Sequence, residues 1–115
     1  MIKNGYFYGL YAEKFIALYL IFRGYKILAK RYKTSLGEID IIAKKGQQII
    51  AFEIKARKNK KSLTSEVVSD RQKNRIKNAM NLFLSENPKY IDYNICFGII
   101  LYVNIFNFQI LEGYF

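Results

Sequence analysis

Three residues define the chemistry within reach of this chain: Asp40, Glu53 and Lys55. Their relation follows from Gly46-Gln47, which lies between them. Glycine at the first central position of a two-residue hairpin loop is what a type II′ turn prefers. With that loop, Lys45 pairs with Gln48, Lys44 with Ile49 and Ala43 with Ile50. Continuing the count sets Asp40 opposite Glu53 and Glu38 opposite Lys55. Directly opposed residues share a face, with Cβ atoms about 4.5–5.5 Å apart. Glu38, Asp40, Glu53, Lys55 and Arg57 therefore share one face, and Ile39, Ile41, Phe52, Ile54 and Ala56 share the other, which is apolar. Ile42 and Ala51 fall on the polar face by parity, so that face is expected to be half covered.

Two facing carboxylates repel, and partial burial aggravates the repulsion. One of them can protonate, a lysine can neutralise them, or a divalent cation can bind between them. Lys55 offsets one charge, and an oxygen-ligated cation would relieve the rest. The same spacing also suits a cross-strand ion-pair ladder, with Glu38 on Lys55 and Asp40 on a neighbour, and spacing does not separate the two arrangements. The chain has no histidine and one cysteine, Cys96. That excludes an internal disulfide, histidine acid–base chemistry and the usual ligands of zinc. Carboxylates and carbonyls remain, and these suit magnesium, manganese or calcium.

The elements that must hold these residues are legible in outline. A proline-free stretch from about Tyr6 to Arg23 ends at Gly24, a natural helix stop. Leu10, Lys14, Ala17 and Ile21 fall on one stripe and Tyr11, Phe15, Leu18 and Phe22 on the next, a wide, mostly apolar surface that describes a helix buried against a sheet. Glu13 stands on the far side from Phe15 and Leu18. Strands are expected at Tyr25–Tyr32, Glu38–Lys44 and Gln48–Arg57, followed by a basic loop from Lys58 to Ser62. Ser69 to Gln72 fits a capping box. The helix it opens carries Ile76, Ala79, Met80, Phe83 and Leu84 on one face and stops before Pro88. Ile91–Val103 and Phe106–Leu111 read as closing strands. No repeat or linker interrupts the 115 residues, which form one domain, 1–115, of order α-β-β-β-α-β-β.

A hydrophobic content of 51% marks a folded chain, and 19 Lys+Arg against 9 Asp+Glu give a net charge of +10. Such a charge attracts polyanions. Abundant Lys, Ile, Asn, Tyr and Phe are also what AT-rich coding produces, so charge alone does not assign nucleic acid as the partner. The longest apolar run, Phe15–Phe22, falls far short of the ~20 residues a bilayer span needs. It follows Glu13-Lys14 and precedes no small-residue cleavage site, so the expectation is a cytoplasmic protein without a membrane partner.

Ordered blocks extend through most of the chain: Gly9-Leu10-Tyr11-Ala12-Glu13, Gly24-Tyr25-Lys26-Ile27-Leu28, Gly37-Glu38-Ile39-Asp40-Ile41-Ile42, Phe52-Glu53-Ile54-Lys55-Ala56-Arg57, then Gln72-Lys73 and the helix through Ala79 and Leu84. On these the chain resembles the YraN-like family of the PD-(D/E)xK, restriction endonuclease-like superfamily, with archaeal Holliday-junction resolvases as distant relatives. It departs from the family's pattern at Asp92-Tyr93-Asn94-Ile95. The resemblance implies a restriction endonuclease-like α/β (α+β) core, a central mixed sheet flanked by helices. It implies that Asp40 and Glu53 bind Mg2+, with Mn2+ as a substitute, and that Glu13 reaches the same site. Lys55 would orient or activate the attacking water, and Glu38 and Gln72 would support the site. No zinc or nucleotide cofactor is implied.

On that reading the protein is an endonuclease for DNA, branched or Holliday-junction-like DNA included. Arg57, Lys58, Lys60, Lys61, Arg71, Lys73, Arg75 and Lys77 are the candidate contacts to the sugar-phosphate backbone, through sequence-independent, salt-sensitive interactions. Lys73, Arg75 and Lys77 cannot all face one way on a helix. Two other classes stay open: a non-catalytic nucleic-acid binder, with aromatics among Tyr6, Tyr8, Tyr11 and Tyr32 as stacking platforms, and an accessory partner of a DNA-processing enzyme. The Ile- and Phe-rich C-terminus suits either a homodimer interface or the closing of the core.

Overall fold

The computed structural model describes residues 3–57 and 68–115. Helix α1 spans Lys3–Phe22, and strands β1 (Lys26–Lys33), β2 (Glu38–Lys45) and β3 (Gln48–Ala56) follow it. Helix α2 spans Asp70–Glu86, a single 3-10 turn covers Pro88–Tyr90, and β4 (Asn94–Asn104) and β5 (Asn107–Leu111) close the chain. The expected order α-β-β-β-α-β-β is the observed one. The five strands form one sheet in the order β1-β2-β3-β4-β5, antiparallel except for the parallel β3–β4 pair. That parallel pair is joined through α2, as two parallel neighbours need a crossover.

The β2–β3 hairpin has the expected register: Lys45 on Gln48, Lys44 on Ile49, Ala43 on Ile50, Ile42 on Ala51 and Ile41 on Phe52. Gly46 holds φ +60 while Gln47 stays out of the left-handed region, which is the type II′ pattern. Helix α1 stops at a Schellman arrangement, in which Gly24 N–H donates to Ile21 and Tyr25 N–H to Leu20.

Each helix covers one face of the sheet. On the first, Ala12, Ile16, Ala17 and Leu20 of α1 meet Ile41, Ala43, Ile50, Phe52, Ile100 and Tyr102. On the second, Ile76, Ala79, Met80 and Phe83 of α2 meet Ile39, Ile42, Ile49, Ala51 and Tyr90. Ile42 and Ala51 are thus covered by α2, as their parity required.

Four details differ from the sequence reading. The buried side of α1 runs through Ala12, Ile16 and Leu20, while Tyr11, Leu18, Ile21 and Phe22 are exposed. An apolar residue recurs on every side of this helix, so periodicity could not orient it, and the small Ala12 and Ala17 allow the close approach to the sheet. Ile39 lies in the α2-side core instead of sharing a face with Ile41. The strand expected from Ile91 starts at Asn94, because Pro88 opens a helical turn that buries Tyr90 against Phe83 and Tyr93 and leaves Ile91 exposed. Phe106 sits in the β4–β5 turn, its N–H bonded to the Asn104 side chain, and is 91% exposed.

The C-terminus closes the core. Phe115 stacks on Phe97 with ring centroids 5.4 Å apart, Tyr114 N–H donates to Phe97, and Phe108 joins Phe15 and Tyr102 beneath α1. Among the described residues no helix is long and apolar enough to cross a membrane.

Candidate functional site

The hairpin ladder runs as far as Ile41–Phe52. Beyond it Asp40 occupies the position between the strands: its Oδ2 accepts the Ile54 backbone N–H at 2.7 Å. A side chain therefore takes the place of a backbone carbonyl in the ladder, and it fixes the carboxylate on the hairpin itself. Glu53, next on the polar face, lies within hydrogen-bonding reach of Asp40.

Burial is the main force on both acids. It pushes the Glu53 carboxyl from an ordinary 4.5 up to about 8, with the Asp40 charge adding to the rise and Lys55 only partly opposing it. Asp40 is also raised by burial, against the Ile54 N–H and the Glu53 hydrogen bond, which favour its charged form. Burial thus favours a proton held between the two facing acids, which titrate as a unit.

Lys55 and Gln72 complete the group. Lys55 Nζ stands 3.7 Å from Glu53 Oε2, both side chains being 14% exposed. Gln72 bridges them, its Nε2 donating to Glu53 Oε2 at 2.7 Å and its Oε1 accepting from Lys55 Nζ at 3.2 Å. The capping box is accordingly half used. Ser69 Oγ accepts the Gln72 N–H at 3.1 Å, but the Gln72 side chain is committed to the hairpin and does not return to the cap. The cap on α2 aims Gln72 at the carboxylates.

The residues line two lobes that share Glu38 and Asp40. On the α1 side a cleft of about 320 Å³ is lined by Gly9, Leu10, Glu13, Arg31, Lys33, Glu38, Asp40, Ile54 and Ala56. On the α2 side a smaller cleft of about 180 Å³ is lined by Glu38, Asp40, Glu53, Gln72, Arg75 and Ile76. Asp40 and Glu38 border both. Glu13 therefore meets Asp40 from the α1 lobe, where burial raises its carboxyl and the Arg31 charge, the stronger of the two cations acting on it, opposes the rise. Among the described residues no three acidic side chains converge closely enough to hold an ion by themselves.

The other sequence candidates separate. The Glu38–Lys55 rung of an ion-pair ladder is replaced by Lys55 on Glu53, while Glu38 pairs across β1 with Lys33 in register. Arg57 is half-buried, its N–H on the Tyr102 carbonyl and its guanidinium on that of Ala56. Of the α2 cations, Arg75 lines the cleft, whereas the Lys73 and Lys77 ammonium groups lie over the rings of Phe115 and Phe97, each at 5.8 Å, and Arg71 is exposed. Lys58, Lys60 and Lys61 lie outside the described residues, as do the side chains of Tyr6 and Tyr8. Tyr32 is no stacking platform, being packed edge-on to Phe83 with its hydroxyl donated to Glu86, whereas Tyr11 is exposed. Arg31 and Lys33 line the α1 lobe and were not among the sequence candidates. Their basic stretch was visible in β1, but the backbone turn that aims Arg31 was not.

Comparison with known proteins matches residues 12–102 to the family described as "Uncharacterised protein family UPF0102". This span begins just before Glu13 and ends within β4, so Glu13, Asp40, Glu53, Lys55 and Gln72 all fall inside it. A UPF0102 protein of Rhodopseudomonas palustris strain BisA53 is 41% identical over 93 residues, 81% of this chain and 71% of the relative. One from Nitrobacter winogradskyi is 39% identical over 93 residues, 81% and 78% of the two chains. Another, from Agrobacterium fabrum, is 42% identical over 89 residues, 77% and 72%.

Proposed function

Because the chain belongs to the uncharacterised protein family UPF0102, whose name assigns no activity, we propose a function from the chemistry of its own site: divalent-metal-dependent hydrolysis of DNA phosphodiester bonds, in the cytoplasm, on a restriction endonuclease-like core. The observation that carries this reading is the buried, proton-sharing Asp40–Glu53 pair with Lys55 held beside it by Gln72.

The donor set suits magnesium, or manganese in its place. Mg2+ keeps several waters and takes one or two carboxylates, substrate phosphates filling the rest. Two carboxylates on adjacent strands, open to a cleft, meet that requirement without a third. Asp40 and Glu53 would hold such a cation, which would supply the Lewis-acid charge that polarises a phosphate and acidifies water.

The remaining work falls to the chain. Asp40 is held by the Ile54 N–H and Glu53 by the Gln72 amide, so neither reorganises when a cation arrives. Lys55, anchored on Gln72 Oε1, presents a positive charge where negative charge develops on the phosphoryl oxygens, and it orients the attacking water. Glu13 borders the same space through Asp40 and is placed to order water in the α1 lobe. The net charge of +10 favours approach of a polyanion.

The test is a cleavage screen of linear, nicked, flapped and four-way DNA with Mg2+ or Mn2+, with Asp40→Asn and Lys55→Ala alongside. Cleavage of at least one structure is expected. Each substitution should lower its rate by about 100-fold or more, with DNA binding by Lys55→Ala retained. Equal cleavage by variants and wild type would sink the assignment. DNA binding indifferent to EDTA, with no structure cut, would favour the non-catalytic reading.

A further inference from the structure

Strand β1 carries a backbone anomaly level with the site. Arg31 has φ +54, and among the described residues it alone, glycines aside, enters the left-handed region. That region is costly for a residue with a β-carbon, and such strain persists where the surroundings over-determine it.

The consequence is a slip in side-chain alternation. Lys30 borders an apolar recess beneath α1 with Ala17 and Ile21, and Arg31, the next residue, also turns to the α1 side, lining the cleft with Lys33. Tyr32 between them packs into the α2-side core. Two successive residues on one side is what a regular strand cannot provide. The partner strand slips at the same level. Lys30 pairs with Ile41 and Tyr32 with Ile39, which sets Arg31 against Asp40. Ile41 belongs to the α1-side core and Ile39 to the α2-side core, and Asp40 between them borders both lobes. The matched slip turns Arg31 and Asp40 into one cleft while both cores keep their apolar residues.

We propose that Arg31 and Lys33 form a phosphate subsite, seating a backbone phosphate of the nucleic acid in the α1 lobe beside Asp40 and Glu13. The proposal rests on the nuclease reading and deepens it. Three carboxylates border this lobe, Glu13, Glu38 and Asp40, and they repel a phosphate. Arg31 and Lys33 are the cations among its lining residues, and both are solvent-exposed. Of the cations expected from sequence on α2, Arg75 serves the other lobe and Lys73 and Lys77 turn to aromatic rings. A guanidinium offers a fork that matches two phosphate oxygens, and an ammonium adds a point charge. The strand distortion gives the guanidinium its direction.

The experiment is fluorescence anisotropy with a labelled duplex and a labelled four-way junction, in EDTA and in Ca2+, across a salt series. Wild type is compared with Arg31→Asn, Lys33→Gln and the double variant. Asparagine tolerates the left-handed backbone, so Arg31→Asn removes charge without adding strain. Arg31→Gly serves as a second neutral replacement should the asparagine variant fail to fold. Each substitution should weaken binding several-fold and lower the slope of log K against log salt by about 0.9 on duplex, the double variant by about twice that. A folded double variant with unchanged affinity and slope would overturn the subsite and leave Arg31 as a partner of Glu13 alone. Wild type that binds with the expected slopes but cuts no DNA in Mg2+ would defeat the nuclease reading and leave the subsite standing. Wild type that binds neither DNA would overturn both.

Discussion

At the scale of single residues, Glu53 couples the site to stability. Its carboxyl sits at 4.5 when unperturbed and about 8 when folded, so between those values the folded, metal-free protein holds a proton that the unfolded chain has released. Stability then falls as pH rises through that window, and Asp40, raised in the same direction, adds to the trend. In EDTA the melting temperature at pH 8.5 should lie below that at pH 5.5 by a loss on the order of 2 kcal/mol, or about 10 °C. Glu53→Gln, which stays neutral, should flatten the profile. A melting temperature that climbs across this window in EDTA would contradict the shared-proton description. The nearness of Asp40, Glu53 and Lys55 was legible because a two-residue loop fixes the register up to Ile41–Phe52, although the rungs counted beyond it, Asp40 on Glu53 and Glu38 on Lys55, are not ladder pairs. The role of Gln72 was not. Sequence assigns it to a capping box, where its backbone does serve the cap, and only the docking of α2 on the hairpin shows the side chain committed elsewhere.

Among the elements, the placing of α2 against the hairpin depends on Gly37. A Cβ built there would meet the Arg75 carbonyl oxygen at 2.1 Å, a backbone atom that cannot swing aside. Gly37→Ala must therefore shift either α2 or the start of β2, and with them Gln72, Arg75 or Asp40. A destabilisation of about 2–3 kcal/mol is expected in urea unfolding. Gly9 makes the contrast: a Cβ there meets nothing within 4 Å, so Gly9→Ala should stabilise α1 by up to about 1 kcal/mol. A neutral Gly37→Ala would mean that the helix is not seated on this loop. The same level explains what periodicity could and could not reveal. The β2–β3 pairing followed from its turn, and α2 from a clean i, i+3, i+4 stripe. Alternation within β2 failed at Ile39, because the slip shared with Arg31 is a long-range compromise between two cores. The orientation of α1 was hidden by its apolar residues on every side.

For the molecule as a whole, the site sits where the sheet's two covered faces communicate, since Asp40 and Glu38 border a lobe under each helix. The chain carries a buried acidic pair at that junction that Lys55 compensates only in part, despite its net charge of +10. A cation bound by Asp40 and Glu53 would act on the native state alone, because the unfolded chain does not bring the two acids together. Binding of that kind stabilises by mass action, about 2.7 kcal/mol at a concentration one hundred times the dissociation constant. Thermal denaturation at pH 8 should therefore show a melting temperature that climbs with Mn2+ and saturates only logarithmically. Asp40→Asn and Glu53→Gln should each begin from a higher melting temperature than wild type in EDTA, having lost the repulsion, and should respond to Mn2+ weakly. This crossing, with variants more stable than wild type without metal and less responsive with it, separates a cation site from an acid pair kept for structure. Loss of stability in both variants without metal, together with a wild type indifferent to Mn2+, would mean that the pair's shared proton holds the hairpin together and that no cation belongs there.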